Sequence, residues 1–295
     1  MTGWVILYGK TIIRVRRVER LFFDGGMGTS LLARRLSGDP MRLNLSQGDK
    51  ITEIHKQYLA AGATVLTANT FGAYTHKYPD AAELIKLAVS YGKKAREESG
   101  AHALVALDMG PLGKMLEPYG DMSQDEAYDI FLQWAQTGAA QGADMVLIET
   151  FFCINEIEAA VKAAKTTGLP VFATMTFDKK GRTTMGKSIR DMVDLLESLG
   201  VDALGMNCGY GPDLYKELLP DLLAVTKLPV LVQPNAGLPE VVDGIMVYHL
   251  SPEDFAQTMA DIASLGCTHL GGCCGTTPAH IAAMVEACGA VARGV

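Results

Sequence analysis

The chain of 295 residues has a formal net charge of −7, and 48% of its residues are hydrophobic. This length suits one barrel domain or two smaller domains with a large buried core. The acidic balance argues against nucleic acid or an anionic membrane surface as a partner, because both attract clustered Lys and Arg. Six cysteines are too few for a disulfide scaffold in a chain this long. We therefore expect reduced thiols and a cytoplasmic location.

The first twenty residues differ in pattern from the rest. Trp4–Tyr8 is an apolar run, and four arginines follow it between positions 14 and 20. A secretory signal has its basic residues before the apolar run, and this run is too short to cross a bilayer. We interpret residues 1–20 as an N-terminal extension and residues 21–295 as one domain. No later stretch reaches transmembrane length, so no membrane partner is expected.

Eight short apolar runs, rich in β-branched residues, predict strands. Nearly continuous apolar runs are typical of parallel strands that are covered on both faces. The predicted strands are Leu21–Gly25, Thr64–Thr70, Ala103–Met109, Met145–Thr150, Val171–Phe177, Ala203–Cys208, Val230–Pro234 and His269–Cys273.

A helical pattern follows each predicted strand. The predicted helices are Ile51–Ala61, Ala82–Ser99, Gln124–Gln141, Ile154–Thr167, Ile189–Leu199, Pro212–Thr226, Pro252–Leu265 and Pro278–Val291. Start signals support several of them, such as Ser251-Pro252-Glu253, which places a cap, a proline and an acid in order. Eight strand–helix units predict an α/β fold, a single (β/α)8 TIM barrel, rather than a doubly wound sheet.

Cysteines lie at the ends of two predicted strands. Cys273 and Cys274 are flanked by Gly271, Gly272 and Gly275, whose backbones permit the sharp bend that lets adjacent thiols face one point. Cys208 ends an earlier strand and is also followed by glycines. Strand C-terminal ends converge at one mouth of a barrel, so these three cysteines are expected to meet there.

Three thiolates can bind one zinc ion in tetrahedral geometry and leave the fourth position free for water or substrate. A thiol that enters such a site loses its proton and becomes a nucleophile at neutral pH. Two other interpretations remain open from the residues alone: the cysteines are small buried hydrophobes, or Cys273 and Cys274 form a vicinal disulfide. The other three cysteines, Cys153, Cys267 and Cys288, are expected to be structural thiols.

Polar residues at other strand ends are further candidates for the site. Glu149 follows four apolar residues, and a carboxylate there is costly to bury without a partner, which favours substrate binding. Asp24 and Asp108 have the same setting, although either acid can instead orient a loop. Asn235 can approach the metal or cap a turn. The histidines form no metal-binding pattern, and His55, His76 and His280 are expected at the surface.

The cysteine motifs resemble the homocysteine S-methyltransferase family. Gly271-Gly272-Cys273-Cys274-Gly275 with Asn207-Cys208 about 65 positions earlier is the specific match. Weaker matches are Asp24-Gly25-Gly26-Met27-Gly28-Thr29, Asn69-Thr70-Phe71-Gly72, Glu149-Thr150-Phe151 and Pro234-Asn235-Ala236-Gly237. The segment from Met175 to Thr183 is most similar to the homocysteine-binding module of the cobalamin-dependent methionine synthase branch.

The resemblance implies a zinc-dependent transfer of a methyl group to homocysteine, giving methionine. By position, Cys208, Cys273 and Cys274 are the implied zinc ligands and Glu149 the implied partner of the substrate ammonium. Backbone amides of the loop that contains Asp24, Gly25 and Gly26 are expected to bind the substrate carboxylate. Asn235 occupies the position that the family places near the metal.

The methyl donor is expected to come from outside the barrel. The folate- and cobalamin-binding modules of multi-domain members do not follow the barrel in this sequence, and no histidine has an aspartate two positions before it, so the corrinoid-binding pattern Asp-x-His-x-x-Gly is missing. A methylated corrinoid protein, or methylcobalamin, is the expected donor, and loops 112–122 and 238–249 are the expected contacts of this donor or of an alternative one. S-methylmethionine, S-adenosylmethionine or betaine is the alternative donor. A different thiol acceptor, or a non-catalytic zinc subunit of a corrinoid complex, are the other hypotheses.

Overall fold

The computed structural model describes residues 4–8, 11–15, 20–36, 38–242 and 245–291. Near the N-terminus, β1 (Trp4–Tyr8) pairs with β2 (Thr11–Val15) in an antiparallel hairpin. This hairpin lies within the predicted N-terminal extension, residues 1–20. The other residues of the extension before residue 20 are outside the part of the chain that the structure describes.

A curled parallel sheet of seven strands forms the centre of the molecule. Its strands are β3 (Val65–Thr67), β4 (Leu104–Met109), β5 (Met145–Phe151), β6 (Val171–Met175), β7 (Ala203–Asn207), β8 (Val230–Gln233) and β11 (His269–Leu270). The order across the sheet is β11-β8-β7-β6-β5-β4-β3. Apart from β11, each strand therefore lies beside its neighbour in the chain, as a barrel requires.

The segment after residue 20 lies between the two edge strands. Phe22 bridges to Leu270 and Phe23 to Val65, both in parallel orientation. The Phe23 amide donates to the Leu270 carbonyl at 2.8 Å, and the Asp24 amide donates to the Val65 carbonyl at 3.0 Å. This segment takes the eighth place in the sheet, so the predicted (β/α)8 barrel is confirmed.

Helices surround the sheet and follow its strands. They are α1 (Met27–Ala33), α2 (Leu43–Ser46), α3 (Gly48–Ala60), α4 (Ala81–Ser99), α5 (Gln124–Ala140), α6 (Ile154–Lys165), α7 (Ile189–Ser198), α8 (Pro212–Val225), α9 (Pro252–Ser264) and α10 (Pro278–Val291). Ser123, Ser188 and Ser251 cap α5, α7 and α9 by accepting from the third helical amide. None of the described helices is both long and apolar enough to cross a membrane.

Two apolar clusters show which strand residues face inward. The smaller cluster contains residues of the barrel strands and the segments beside them, without a helix residue: Leu21, Phe23, Val65, Leu104, Ala106, Met145, Leu147, Phe172, Ala203 and Leu231. The larger cluster joins the alternate strand residues to the helices. Because strand side chains alternate between faces, the smaller cluster fills the barrel and the larger one lies between sheet and helices.

Some elements differ from the sequence prediction. The first predicted strand, Leu21–Gly25, is reduced to two bridges, and the last, His269–Cys273, to two residues. The glycine-rich segment after Asp24 continues into α1. A further hairpin, β9 (Glu240–Val242) with β10 (Ile245–Val247), follows β8 and was not expected, because its strands have three residues each and the β9 side chains are exposed.

Candidate active site at the barrel mouth

The three cysteines that the sequence places at strand ends are close together in the structure. The Sγ atoms of Cys208, Cys273 and Cys274 all lie within 4.8 Å of one another, and those of Cys273 and Cys274 are 4.0 Å apart. All three side chains line one cavity and are partly buried. The structure thus brings together residues separated by more than sixty positions in the chain.

Cys208 reaches this point through a sharp turn at the end of β7. Its backbone has φ 59°, in the left-handed region, and Gly209 follows with φ 67°. Such a conformation costs a non-glycine residue about 1 kcal/mol. Hydrogen bonds hold the turn: the Cys208 amide donates to the Gln233 carbonyl at 3.0 Å, and the buried Tyr215 hydroxyl donates to the Asn207 carbonyl at 2.8 Å.

The second corner is held by β8 and by the loop before α1. The Cys273 amide donates to the Pro234 carbonyl at 2.8 Å, and the Ala236 amide donates to the Cys274 carbonyl at 2.9 Å. The corner lies directly against the glycine loop, since a Cβ on Gly26 would come within 2.9 Å of the Cys273 carbonyl oxygen. Glycine is required at position 26 for this approach.

The sulfur atoms have the chemistry and spacing of a zinc site. Tetrahedral zinc with bonds of about 2.3 Å places its sulfur ligands about 3.8 Å apart. The Cys273–Cys274 distance of 4.0 Å is close to this value. Hydrogen bonds with Cys208 and Cys273 lower the pKa of Cys274 to about 3, whereas hydrogen bonds with Cys208 and Cys274 raise the pKa of Cys273. Cysteine ligands lose their protons when a metal binds, so binding at this cluster would release protons.

The cavity beside the cysteines has a volume of about 910 Å³. The residues predicted from the sequence that line it are Gly25, Gly26, Asp108, Glu149 and the three cysteines. The first residues of α1, from Met27 to Thr29, form another part of its wall. A cavity of this size can accommodate a small amino acid together with part of a second molecule.

Two acids face this cavity from neighbouring strands. Glu149 and Asp108 are both buried, at 9% and 6% exposure. Burial, followed by the negative charges of Cys208 and Asp24, raises the pKa of Glu149 to about 8. Burial and the nearby Glu149 also raise the pKa of Asp108 well above its ordinary value. Both acids are therefore in an environment that favours a bound cation.

Asn207 joins the acid side of the site to the cysteine side. Its side-chain oxygen accepts from the Thr150 amide and the Thr174 hydroxyl, both at 2.8 Å, and its amide donates to the Thr150 hydroxyl at 2.7 Å. Thr150, with φ 68°, is strained like Cys208. Asn207 lies between Glu149-Thr150 and Cys208, a role that its place in the Asn-Cys motif did not reveal.

Asp24 is buried and does not line the cavity. One of its oxygens accepts from the Thr67 amide at 2.9 Å, and the other accepts from the Thr67 hydroxyl. The Nδ1 atom of His55 lies 3.9 Å from one of these carboxylate oxygens. Burial raises the pKa of Asp24 to about 7 and lowers the pKa of His55 to about 4. In this structure Asp24 ties the first strand segment to β3.

Other predicted residues lie farther from the cavity. Asn235 is buried beside the second corner, but it does not line the cavity, and its side-chain oxygen has no hydrogen-bond partner among the residues that the structure describes. The surface prediction for His55 and His280 is wrong, because both pack against buried faces; His76 is exposed. Cys267 and Cys288 are buried and Cys153 is partly buried, and none of them lines the cavity.

Comparison with known proteins identifies relatives along nearly the whole chain. A family model described as homocysteine S-methyltransferase matches residues 21–288. A methionine synthase of Mycobacterium tuberculosis is 32% identical over 311 aligned positions that cover 97% of this chain. A methionine synthase of Mycobacterium leprae is 34% identical over 92% of the chain. The chain spans about a quarter of the length of these relatives, 26% and 25% respectively.

Solved structures agree with the fold. The metallated form of the homocysteine methyltransferase MmuM from Escherichia coli is 26% identical, has a TM-score of 0.78, and is matched over 91% of this chain and 96% of its own. Its apo form has a TM-score of 0.73 at 27% identity, with 91% of this chain and 96% of that chain covered. With a family model that covers residues 21–288 and a matching barrel, this chain belongs to the homocysteine S-methyltransferase family.

Proposed function

We propose that this protein is a zinc-dependent S-methyltransferase that transfers a methyl group to the thiol of homocysteine to give methionine. The observation that carries the proposal is the cluster of Cys208, Cys273 and Cys274, whose sulfur atoms lie within 4.8 Å of one another at the wall of a cavity. Membership of the family and the similarity to methionine synthases support homocysteine as the acceptor.

Cys208, Cys273 and Cys274 would be the zinc ligands, because three soft sulfur donors at this spacing suit zinc better than a hard cation. When bound, zinc would keep the substrate sulfur deprotonated at neutral pH. The two glycine-supported corners fix the sulfur atoms before the metal arrives. The reaction needs reduced thiols, so the proposal includes a cytoplasmic location.

The polar parts of homocysteine would bind along the cavity wall. Glu149 would accept hydrogen bonds from the substrate ammonium, which compensates the cost of burying its carboxylate. Met27, Gly28 and Thr29 begin α1 and line the cavity, and amides at a helix start have no partner inside the helix. The loop from Asp24 through Gly25 and Gly26 to Thr29 would thus bind the substrate carboxylate through the amides at the start of α1. Asn235 would approach the metal after a side-chain rotation.

The methyl donor would be a methylated corrinoid, free or carried by a protein. The corrinoid would supply the methyl group: the substrate sulfur would bond to the methyl carbon, and the corrinoid would keep the electron pair of the broken bond to that carbon. Donor contact would involve loop 238–249, where Leu238, Val241 and Met246 are 58%, 75% and 57% exposed. Loop 112–122 would contribute a second contact through the exposed Tyr119. Exposed apolar groups of this kind mark interaction sites.

The experiment that tests the proposal is a donor panel with zinc-loaded protein and a constant homocysteine concentration. Methylcobalamin is expected to lose its absorbance while methionine forms, and S-methylmethionine, S-adenosylmethionine and betaine are the comparison donors. A Cys153→Ala variant is the matched control, because Cys153 is a free cysteine outside the cluster, and it is expected to retain activity.

Each contrary outcome identifies an alternative. Turnover with S-methylmethionine, S-adenosylmethionine or betaine, but not with methylcobalamin, would identify that molecule as the methyl donor in place of the corrinoid. Turnover with another thiol but not homocysteine would change the acceptor. Normal zinc content without methyl transfer to any thiol, even with the natural corrinoid protein, would contradict the enzymatic proposal and favour a non-catalytic zinc subunit.

A further inference from the structure

His280 is a buried histidine that has no part in the proposed reaction. It is 7% exposed and makes a T-shaped contact with the Phe255 ring of α9, with ring centroids 5.6 Å apart. Its Nδ1 atom lies 2.9 Å from the Thr277 hydroxyl and accepts from the Thr277 amide at 3.3 Å. Its Nε2 atom lies 2.9 Å from the Leu250 carbonyl oxygen. One side chain thus joins the start of α10 to the end of loop 238–249.

The two partners define the protonation state of this ring. A backbone amide can only donate, so Nδ1 is the acceptor for Thr277. A carbonyl oxygen can only accept, so Nε2 has the hydrogen and donates it to Leu250. His280 is therefore neutral, with its hydrogen on Nε2. Burial lowers the pKa of His280 and favours the same neutral state.

On the α10 side, His280 acts as part of a helix cap. Because α10 begins at Pro278, Thr277 is the N-cap and His280 is the third helical residue. A Glu or Gln at this third position commonly accepts from the N-cap amide, in the capping box. His280 accepts from Thr277 in the same way. A cap alone does not require a donor for Leu250, so the second bond has a separate effect.

On the other side, Leu250 is linked to the second cysteine corner through the backbone. Its amide donates to the Ala236 carbonyl at 3.3 Å, and the Ala236 amide donates to the Cys274 carbonyl at 2.9 Å. Ala236 and Leu250 flank loop 238–249, so these bonds bring the two ends of the loop together beside the corner. The bond from His280 attaches this pair of ends to the helix that follows the corner.

The side chain of Tyr248 extends this contact to the sulfur atoms. It packs directly on Gly275, because a Cβ at that position would lie 2.2 Å from Tyr248 Cγ. Burial, followed by the charge of Cys274 and a hydrogen bond with that cysteine, raises the pKa of Tyr248. Tyr248 is two residues before Leu250 in the chain. The bond that holds Leu250 therefore also holds Tyr248 against the corner.

We propose that His280 is a positioning residue of the active site, which fixes the end of loop 238–249 so that Tyr248 shields the Cys273–Cys274 corner. Because these cysteines are the proposed zinc ligands, this role rests on the proposed function. His280 does not line the cavity, so it acts through Leu250 and Tyr248 rather than on the substrate. Without the bond from Nε2, the end of the loop moves more and small molecules reach the corner more easily.

The test uses two isosteric substitutions that differ in one donor. His280→Gln can cap α10 and also has an N–H group for the Leu250 carbonyl, whereas an ionised His280→Glu can cap α10 but has no donor. Zinc transfer from the loaded protein to a chromophoric chelator is expected to be about fivefold faster in His280→Glu than in the wild type or His280→Gln. This factor corresponds to the loss of one hydrogen bond of about 1 kcal/mol. The negative charge of Glu would by itself slow the loss of a cation, so charge does not explain this result.

Hydrogen–deuterium exchange follows the loop directly. Exchange in the peptide 246–250 is expected to be faster in His280→Glu than in His280→Gln, while α10 is equally protected in both, since both variants keep the cap. His102→Glu is the matched control for the added charge. His102 is exposed and precedes β4, at the end of the barrel opposite the cysteines, and this variant is expected to behave like the wild type.

The outcomes distinguish this role from the proposed function. Equal zinc transfer and equal exchange in the wild type, His280→Gln and His280→Glu would overturn the positioning role and leave the methyltransferase proposal standing. Equal acceleration in both variants would also overturn it, because loss of the ring rather than of the Leu250 bond would then be responsible. A wild-type protein that binds no zinc would overturn the proposed function, and hydrogen exchange would still test the link between His280 and the loop.

Discussion

Replacing Asn207 with alanine tests whether one buried side chain holds the two sides of the site together. The substitution removes three hydrogen bonds, two of 2.8 Å and one of 2.7 Å, from a fully buried residue. At about 1 kcal/mol for each bond, the free energy of unfolding is expected to fall by about 3 kcal/mol. Thr150 and Cys208 both have left-handed backbones, at φ 68° and 59°, and these bonds help to offset their strain.

Relaxation of the two strained residues is also expected to weaken zinc binding. Outer residues that orient metal ligands typically change metal affinity about 10- to 100-fold, and we expect a loss in this range for Asn207→Ala. Unfolding is followed by circular dichroism in urea on metal-free, reduced protein, and zinc affinity by competition with a chromophoric chelator.

The matched control for this experiment is Asn155→Ala. Asn155 is exposed on α6, and a surface substitution of this kind is expected to change stability by less than about 0.5 kcal/mol. If Asn207→Ala is as stable as this control and binds zinc like the wild type, the reasoning about the link between Glu149-Thr150 and Cys208 is refuted.

Three further substitutions test other parts of the structure. Glu149→Gln is expected to raise the KM for homocysteine about 10- to 100-fold through loss of a charged hydrogen bond, with zinc retained; steady-state kinetics with metal analysis checks this, and an unchanged KM contradicts it. Burial raises the pKa of Glu156 from 4.5 to about 7, so its stabilising contribution is complete below pH 4.5 and is lost as the pH rises through 7. Glu156→Gln keeps an acceptor for the Leu112 amide and is expected to exceed the wild type in stability at pH 8 by on the order of 3 kcal/mol, but not at pH 4.5. Urea unfolding gives both free energies, and the same difference between variant and wild type at the two pH values would refute this. Asp144→Ala removes the carboxylate 2.6 Å from the buried Arg96 guanidinium and is expected to cost about 3–5 kcal/mol; a loss below about 1 kcal/mol in urea unfolding would be inconsistent with that role.

The repeating strand and helix pattern was sufficient to predict the barrel. Buried parallel strands such as Met145–Phe151 are apolar on both faces, and a period-3.6 pattern follows each of them. This apolar character on both faces also prevents a prediction of which way individual side chains point. Because both faces of a strand are apolar, the sequence does not show which alternate residues point into the barrel.

Asp24 and Asp108 illustrate this limit. Both acids follow apolar strand residues and look equivalent in the sequence. In the structure Asp24 accepts hydrogen bonds from Thr67, lies near His55 and does not line the cavity, whereas Asp108 follows the inward Ala106 by two positions and lines the cavity. The burial of His55 was missed for a related reason: a histidine on a helix is polar in the sequence, and only the docking of α3 on the sheet encloses it.

Local sequence also left the short elements undefined. Gly25, Gly26 and Gly28 predict a loop, yet α1 begins at Met27 because the loop lies against the corner of Cys273 and Thr276. The β9–β10 hairpin consists of three-residue strands, and the β9 side chains are exposed, so neither periodicity nor burial marks it; the dipeptide Asp243-Gly244 between the strands is its one signal in the sequence. The start of α1 thus lies against a distant part of the chain, whereas the hairpin is a local pairing.

Zinc content of the purified, reduced protein tests the central claim most directly. The wild-type chain is expected to bind one zinc ion, and Cys274→Ala is expected to bind none at micromolar zinc, whereas Cys153→Ala binds one. A Cys274→Ala protein that remains folded and retains its zinc, or a wild-type protein that binds none, would contradict the assignment of Cys208, Cys273 and Cys274 as the metal ligands.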